Sequence, residues 1–137
     1  MAKVILDEVW GPLNIWAEAR GEPFQGQVAV GFVTRERMRL GYFSDGSVTG
    51  TVWRPKQFSW TLAGDKQRQA VLDVDDEDPR YRTALDAWEE SASTDLLPRG
   101  TVLYHADYVR PGWAKSDKVE FVRQIGQHLF YRLKKEA

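Results

Sequence analysis

The stretch Trp16-Ala17-Glu18-Ala19-Arg20-Gly21-Glu22-Pro23 places three ionisable side chains close together at what reads as the end of a helix. Leu13 to Arg20 has helical character, and Gly21 and Pro23 stop it, so Glu18 falls in the last turn. A helix C-terminus carries partial negative charge and disfavours a second negative charge beside it. Nearby apolar surface desolvates a carboxylate and disfavours ionisation further. Both effects keep the proton on Glu18, and a carboxyl protonated near neutral pH suits a general acid for glycosidic cleavage. The competing reading is a solvated helix residue, the common state of a lone glutamate. Arg20 and Glu22 are expected to pair across the turn and stiffen it.

Other chemistries find little support. The chain has no cysteine, which excludes disulfides, a thiol nucleophile and zinc ribbons. His105 and His128 fit no ligand spacing, so neither metal nor cofactor is expected. The acidic run Asp73 to Asp78 lacks the glycine and ligand spacing of an EF-hand and reads as a solvated loop. A net charge of -1 with scattered basic residues argues against nucleic acid as a partner. Arg132, Lys134 and Lys135 read as a solvated tail. No stretch approaches the ~20 apolar residues of a membrane span, so no membrane insertion is expected. The N-terminus reaches Asp7 and Glu8 too early for a secretory signal. Synthesis in the cytoplasm is therefore expected, with any outside substrate reached only after release.

These residues need a scaffold. A length of 137 residues is that of one domain, expected to span 1–137 as a monomer. Leu6, Val9, Leu13 and Trp16 recur at helical spacing, interrupted by Gly11-Pro12. Either a second helix begins at Pro12 or one helix kinks there. Phe24 to Leu40 is apolar on most faces, which predicts a buried helix ending at Gly41. Val48 and Val52 mark a short helix or turn before an aromatic loop. Asp78-Pro79 starts a helix with Tyr81, Leu85, Trp88 and Ala92 on its core face. Pro98-Arg99-Gly100 turns into a short strand, Thr101 to Tyr104. Alternation at Val119 to Ile125 and at Leu129 to Leu133, around Gly126-Gln127, predicts a hairpin. The fold class is α+β, mainly helical with a small late β-hairpin.

Several runs then occur in a particular order: Glu18-Ala19-Arg20-Gly21-Glu22-Pro23, Gly26-Gln27-Val28-Ala29-Val30, Val48-Thr49-Gly50-Thr51-Val52-Trp53, Gln57-Phe58-Ser59-Trp60 and Ile125-Gly126-Gln127-His128-Leu129-Phe130. Together they resemble the cell-wall hydrolase family typified by bacterial spore cortex-lytic enzymes, which also has phage endolysin members. The resemblance covers roughly residues 14 to 131. It implies a lysozyme-like fold acting on peptidoglycan glycan strands, at the bond between N-acetylmuramic acid and N-acetylglucosamine. It also implies Glu18 as the catalytic carboxyl of a lytic transglycosylase. The run Leu103-Tyr104-His105-Ala106-Asp107-Tyr108 resembles the phage-type members more than the spore ones, which points to an endolysin.

The second carboxylate stays open at this point. A common phage lysozyme pattern has an acid and a Thr where this chain has Gln27 and Val33, which favours a single carboxyl. The family usually has Asn before Arg in the second helix, whereas here Glu36 precedes Arg37. Glu36 either supplies a base for water, giving an N-acetylmuramidase, or is a structural replacement that pairs with an arginine. For substrate contacts, Gln57 and Ser59 could hydrogen-bond acetamido and hydroxyl groups, and Trp60 could stack on a sugar ring, with Phe58 as a core plug. Tyr104 could steady developing charge or the C6 hydroxyl. His105 is either a cleft residue or a tie between loop and backbone, His128 reads as structural, and Trp113 lines a subsite or covers the core. A catalytically silent glycan-binding virion domain is the rival from another class.

Overall fold

Proline and glycine govern the helical half. The computed structural model describes residues 2–134, with side chains from residue 7 onward. The Leu6 side chain and Lys135 lie outside the described residues. Helix α1 (Ala2–Ala19) runs as one element with Pro12 inside it, so no second helix begins there. Proline forfeits a backbone hydrogen bond in a helix interior, and tertiary packing offsets that loss. Trp88 lies against Gly11 so closely that a Cβ there would sit 2.4 Å from its ring. The same Trp88 donates its indole N–H to Glu8 Oε2 at 2.9 Å.

Helix α2 (Phe24–Leu40) is buried over most of its length, as its apolar faces predict. It stops at Gly41, whose φ of 67° is left-handed and whose N–H bonds the Arg37 carbonyl. Helix α3 (Val48–Val52) is capped twice. The Ser47 hydroxyl accepts the Gly50 N–H at 2.8 Å, and Asp7 on α1 accepts those of Val48 and Thr49 at 3.1 and 2.7 Å. Helix α4 (Lys66–Leu72), capped by Asp65, is absent from the sequence reading. It buries only Val71, so its pattern carries almost no periodic signal. Helix α5 (Pro79–Glu90) starts at Asp78, as expected, and packs Tyr81, Ala84, Ala87 and Trp88 inward. Ala92 falls beyond its end and is exposed.

Strands β1 (Thr101–Ala106), β2 (Val119–Ile125) and β3 (His128–Leu133) form an antiparallel sheet in the order β1-β3-β2. The β2–β3 hairpin is the expected one. The third strand joins through pairings such as Tyr104 with Phe130 and Ala106 with His128, which also extend β1 beyond Tyr104. Helix α1 packs against α2, α3 and α5, and β1 lies along α2. Ile15, Val28, Val33, Val52, Trp60 and Phe130 meet in the core between them. Among the described residues no helix is long and apolar enough to cross a membrane.

Candidate active site

Glu18 lies in the last turn of α1 beside the sheet, and Tyr104 on β1 reaches it. The Tyr104 hydroxyl donates to Glu18 Oε1 at 2.6 Å. Burial raises the pKa of Glu18, the Tyr104 hydrogen bond and the Arg37 charge oppose that rise, and Asp65 adds to it. Burial prevails, so the net direction is upward and the carboxyl holds its proton beyond the usual carboxylate range. Tyr104 is pushed well above an ordinary phenol by burial and by Glu18, so it stays a donor. Arg37 on α2 is only 5% exposed and is fixed from two sides. Its Nε donates to the Val102 carbonyl at 2.8 Å and its Nη1 to Gln57 Oε1 at 3.3 Å. Burial works against its charge, which Tyr104, Tyr42 and Glu18 partly support.

Two cavities, of about 510 and 550 Å³, flank Glu18. Both are lined by Ala17, Glu18, Gln67, Ala106, Tyr108 and His128, so they form one groove with Glu18 at its middle. One arm is lined further by Arg20, Glu22, Arg80 and Gln127. The other has Gln57, Ser59, Leu62, Tyr104, Val109 and Trp113. Pockets of several hundred Å³ with a few convergent polar groups are where ligands bind.

Of the residues singled out in the sequence, Gln57, Ser59, Tyr104 and His105 do line the groove with Glu18. Gln57 spends its carbonyl on Arg37, which leaves its amide N–H groups for a ligand. His105 forms wall only, because both ring nitrogens are used. Nδ1 meets the Ala106 carbonyl at 2.7 Å and must carry the proton, while Nε2 at 2.9 Å accepts from Tyr131. Trp60 is a correction. It is fully buried, its indole N–H donates to Asn14 Oδ1 at 2.8 Å, and it packs among Trp10 and Trp53. It therefore has no face to offer a sugar, and Phe58 beside it is the core plug expected.

Glu36 lies outside the groove, in a separate cavity between α2 and the α5–β1 connection. Its carboxylate is 2% exposed and accepts from Arg39 at 2.7 and 2.9 Å, Arg99 at 3.1 Å and the Gly100 N–H at 2.8 Å. Those bonds overcome burial and hold its pKa below the usual value. The arginine-pairing alternative is the one realised. Gln27, 4% exposed, bonds the Glu22 carbonyl, and Val33 is core, so neither position faces the groove.

The expected Arg20–Glu22 pair does not form. Arg20 turns to Gln67 Oε1 at 2.9 Å, and Glu22 accepts the Gln127 N–H at 2.7 Å, tying the hairpin tip to the α1–α2 turn. His128, read as structural, lines both arms, its ring 5.0 Å from Tyr104 and its Nδ1 3.8 Å from Glu22. Gln67 and Tyr108 are groove residues that the sequence reading missed. Gln67 sits on the unread α4, and Tyr108, 80% exposed, carries no local signal beyond being an aromatic in a loop.

A family model described as "Cell Wall Hydrolase" matches residues 21–131. The chain belongs to that family. The match begins just after Glu18. Cell wall hydrolase relatives include a spore cortex-lytic enzyme from Oceanobacillus iheyensis, 33% identical over 125 residues, which cover 85% of this chain and 38% of that protein. Another, from Halalkalibacterium halodurans, is 34% identical over 116 residues, covering 85% of this chain and 32% of that protein. The chain thus spans between about a third and two fifths of the length of these curated relatives. In structure it is similar to the catalytic domain of the germination-specific lytic transglycosylase SleB from Bacillus anthracis, with a TM-score of 0.67 at 22% identity, covering 90% of this chain and 92% of that one. The fold is the lysozyme-like α+β fold.

Proposed function

We propose that the protein cleaves the β-1,4 bond between N-acetylmuramic acid and N-acetylglucosamine in peptidoglycan, as a lytic transglycosylase with Glu18 as its one catalytic carboxyl. The observation that carries this is a proton-retaining glutamate at the middle of an open groove, bonded to a tyrosine that remains a donor. Tyr104 occupies Oε1, leaving Oε2 to bear the proton. That proton passes to the glycosidic oxygen as the bond to C1 breaks. The carboxylate left behind is stabilised by the Tyr104 hydroxyl and the nearby Arg37 cation. It then takes the proton of the muramic C6 hydroxyl, whose oxygen closes on C1. A 1,6-anhydro sugar results, Glu18 is protonated again, and no water is consumed. Tyr108, not Trp60, offers the exposed ring for an apolar sugar face.

The names of the relatives support the same substrate and reaction. The hydrolytic alternative needs a second carboxylate free to activate water. Among the described residues, Glu22 is the other carboxylate lining the groove, and its Oε1 is committed to Gln127. A phage endolysin that reaches the wall after release is the setting we propose, on the strength of the Tyr104-His105-Ala106-Asp107-Tyr108 run.

Mass spectrometry of muropeptides released from purified sacculi tests the proposal. Anhydro-muramic termini, one water lighter than hydrolysed ones, are expected. Hydrolysed termini would turn the assignment to a muramidase. Tight binding to sacculi without any release would leave only a glycan-binding domain.

A further inference from the structure

The two arms of the groove differ in their basic side chains. The arm beyond Glu18 contains two arginines, Arg20 and Arg80, together with Glu22, whereas the opposite arm has Lys56 among Leu62, Val109 and Trp113. Arg80 is neutralised locally by Asp78 at 3.1 Å. Arg20 has no carboxylate within 4.0 Å among the described residues, although it is only partly exposed. Its guanidinium lies 4.1 Å over the Trp16 ring, and Nη1 alone is tied down, to the Trp16 and Ala17 carbonyls at 3.0 and 3.4 Å and to Gln67 at 2.9 Å. Nε and Nη2 have no protein acceptor among the described residues. That edge is the pair of donors that grips a carboxylate with two parallel hydrogen bonds. Burial and the neighbouring Arg80 work against the Arg20 charge, and Asp78 partly supports it. Glu22 in the same arm does not compete, being held by the hairpin tip.

We propose that the Nε/Nη2 edge of Arg20 binds a carboxylate carried on the C3 substituent of the muramic residue, and so seats that residue in the arm beyond Glu18. The inference rests on the peptidoglycan reading above. Two sources share this chemistry: the lactyl carboxylate of a peptide-free strand, and a carboxylate of the stem peptide. Arg20, pinned in advance, supplies geometry at little entropic cost.

The test uses the full chain on native sacculi and on sacculi stripped of stems by an amidase, each with and without carbodiimide amidation to neutralise carboxylates. For the wild type, kcat/KM is expected to fall about tenfold when one of these forms is amidated, the value of one charge-assisted contact. A fall on amidating native sacculi, where the lactyl carboxyl is tied up as the stem's amide, assigns the stem, and a fall confined to stripped strands assigns the lactyl group. Arg20→Gln is expected to lose about tenfold on the form that responds to amidation, mostly in KM, and clearly less once that form is amidated. Arg20→Lys, which keeps the charge without the fork, should fall between. Thermal denaturation of each variant monitors folding. Equal loss by Arg20→Gln before and after amidation of that form would make Arg20 a structural residue and overturn the proposal. A wild type indifferent to amidation of both native and stripped sacculi would do the same. A wild type that releases nothing from native sacculi would overturn the peptidoglycan reading, and this inference with it.

Discussion

Replacing Glu36 by glutamine separates structure from catalysis. The side chain is 2% exposed and accepts four hydrogen bonds, three from arginines and one from a backbone N–H. Glutamine keeps one accepting oxygen and turns an NH₂ group toward donors on the other side. A hydrogen bond to a charged group is worth about 1.5–3 kcal/mol, and an unpaired buried group costs a similar amount. Arg39 and Arg99 are 46% and 75% exposed, so they return to water cheaply and the lower part of that range applies. The expected loss is about 1–3 kcal/mol, or roughly 3–10 °C in Tm for a chain of this size. The pKa of Glu36 is depressed in the folded state, so its contribution is present above the unfolded pKa and disappears as pH falls through the folded one. The gap between wild type and Glu36→Gln should therefore be constant at neutral pH and close in acid. Thermal melts at several pH values, run beside turbidity clearing of sacculi at 25 °C, measure both effects. Lysis per folded molecule should stay close to wild type. A variant with wild-type Tm but lysis lowered by orders of magnitude would refute the reasoning and make Glu36 a base for water.

Glu18→Gln should lower muropeptide release about a thousandfold while retaining binding to sacculi. Because the reaction starts from protonated Glu18, whose pKa is raised, the kcat/KM of the wild type should fall as pH climbs through that pKa; a rate that rises there would contradict the assignment. Tyr108→Ala, at an 80% exposed position, should leave Tm nearly unchanged and raise KM severalfold, whereas Trp60→Ala should cost about 3–5 kcal/mol in urea denaturation and orphan Asn14. Gly126→Ala should destabilise by about 1–2 kcal/mol, since its φ is 58° and a Cβ would sit 2.4 Å from Glu22 Oε1; an unchanged urea midpoint would show that the hairpin tip adapts freely.

Some of this was legible before any coordinates. The buried character of α2 and the β2–β3 hairpin are local patterns, because one face or one alternation repeats within a few residues. The start of α5 is local too, since Asp78 and Pro79 act within a single turn. Glu18 at a helix end follows from the glycine and proline next to it. By contrast, α4 has one buried residue and a weak pattern. Pro12 reads as a break until Trp88, far along the chain, packs on Gly11.

The sequence by itself determined the α+β class, the helix that ends at Glu18, and the ordered motifs that mark the family. Only the tertiary structure decided which aromatics face solvent and which charges face each other. Trp60 and Tyr108 are both aromatics in loops, and nothing adjacent to them in the chain separates core from groove. Glu36 and Glu18 are both glutamates on helices. What distinguishes them is that Arg99 and Gly100 close over one while Tyr104 reaches the other, and those partners are brought in by the packing of β1 against the helices. Burial and pKa depend on neighbours across the fold, so they appear only when distant segments meet.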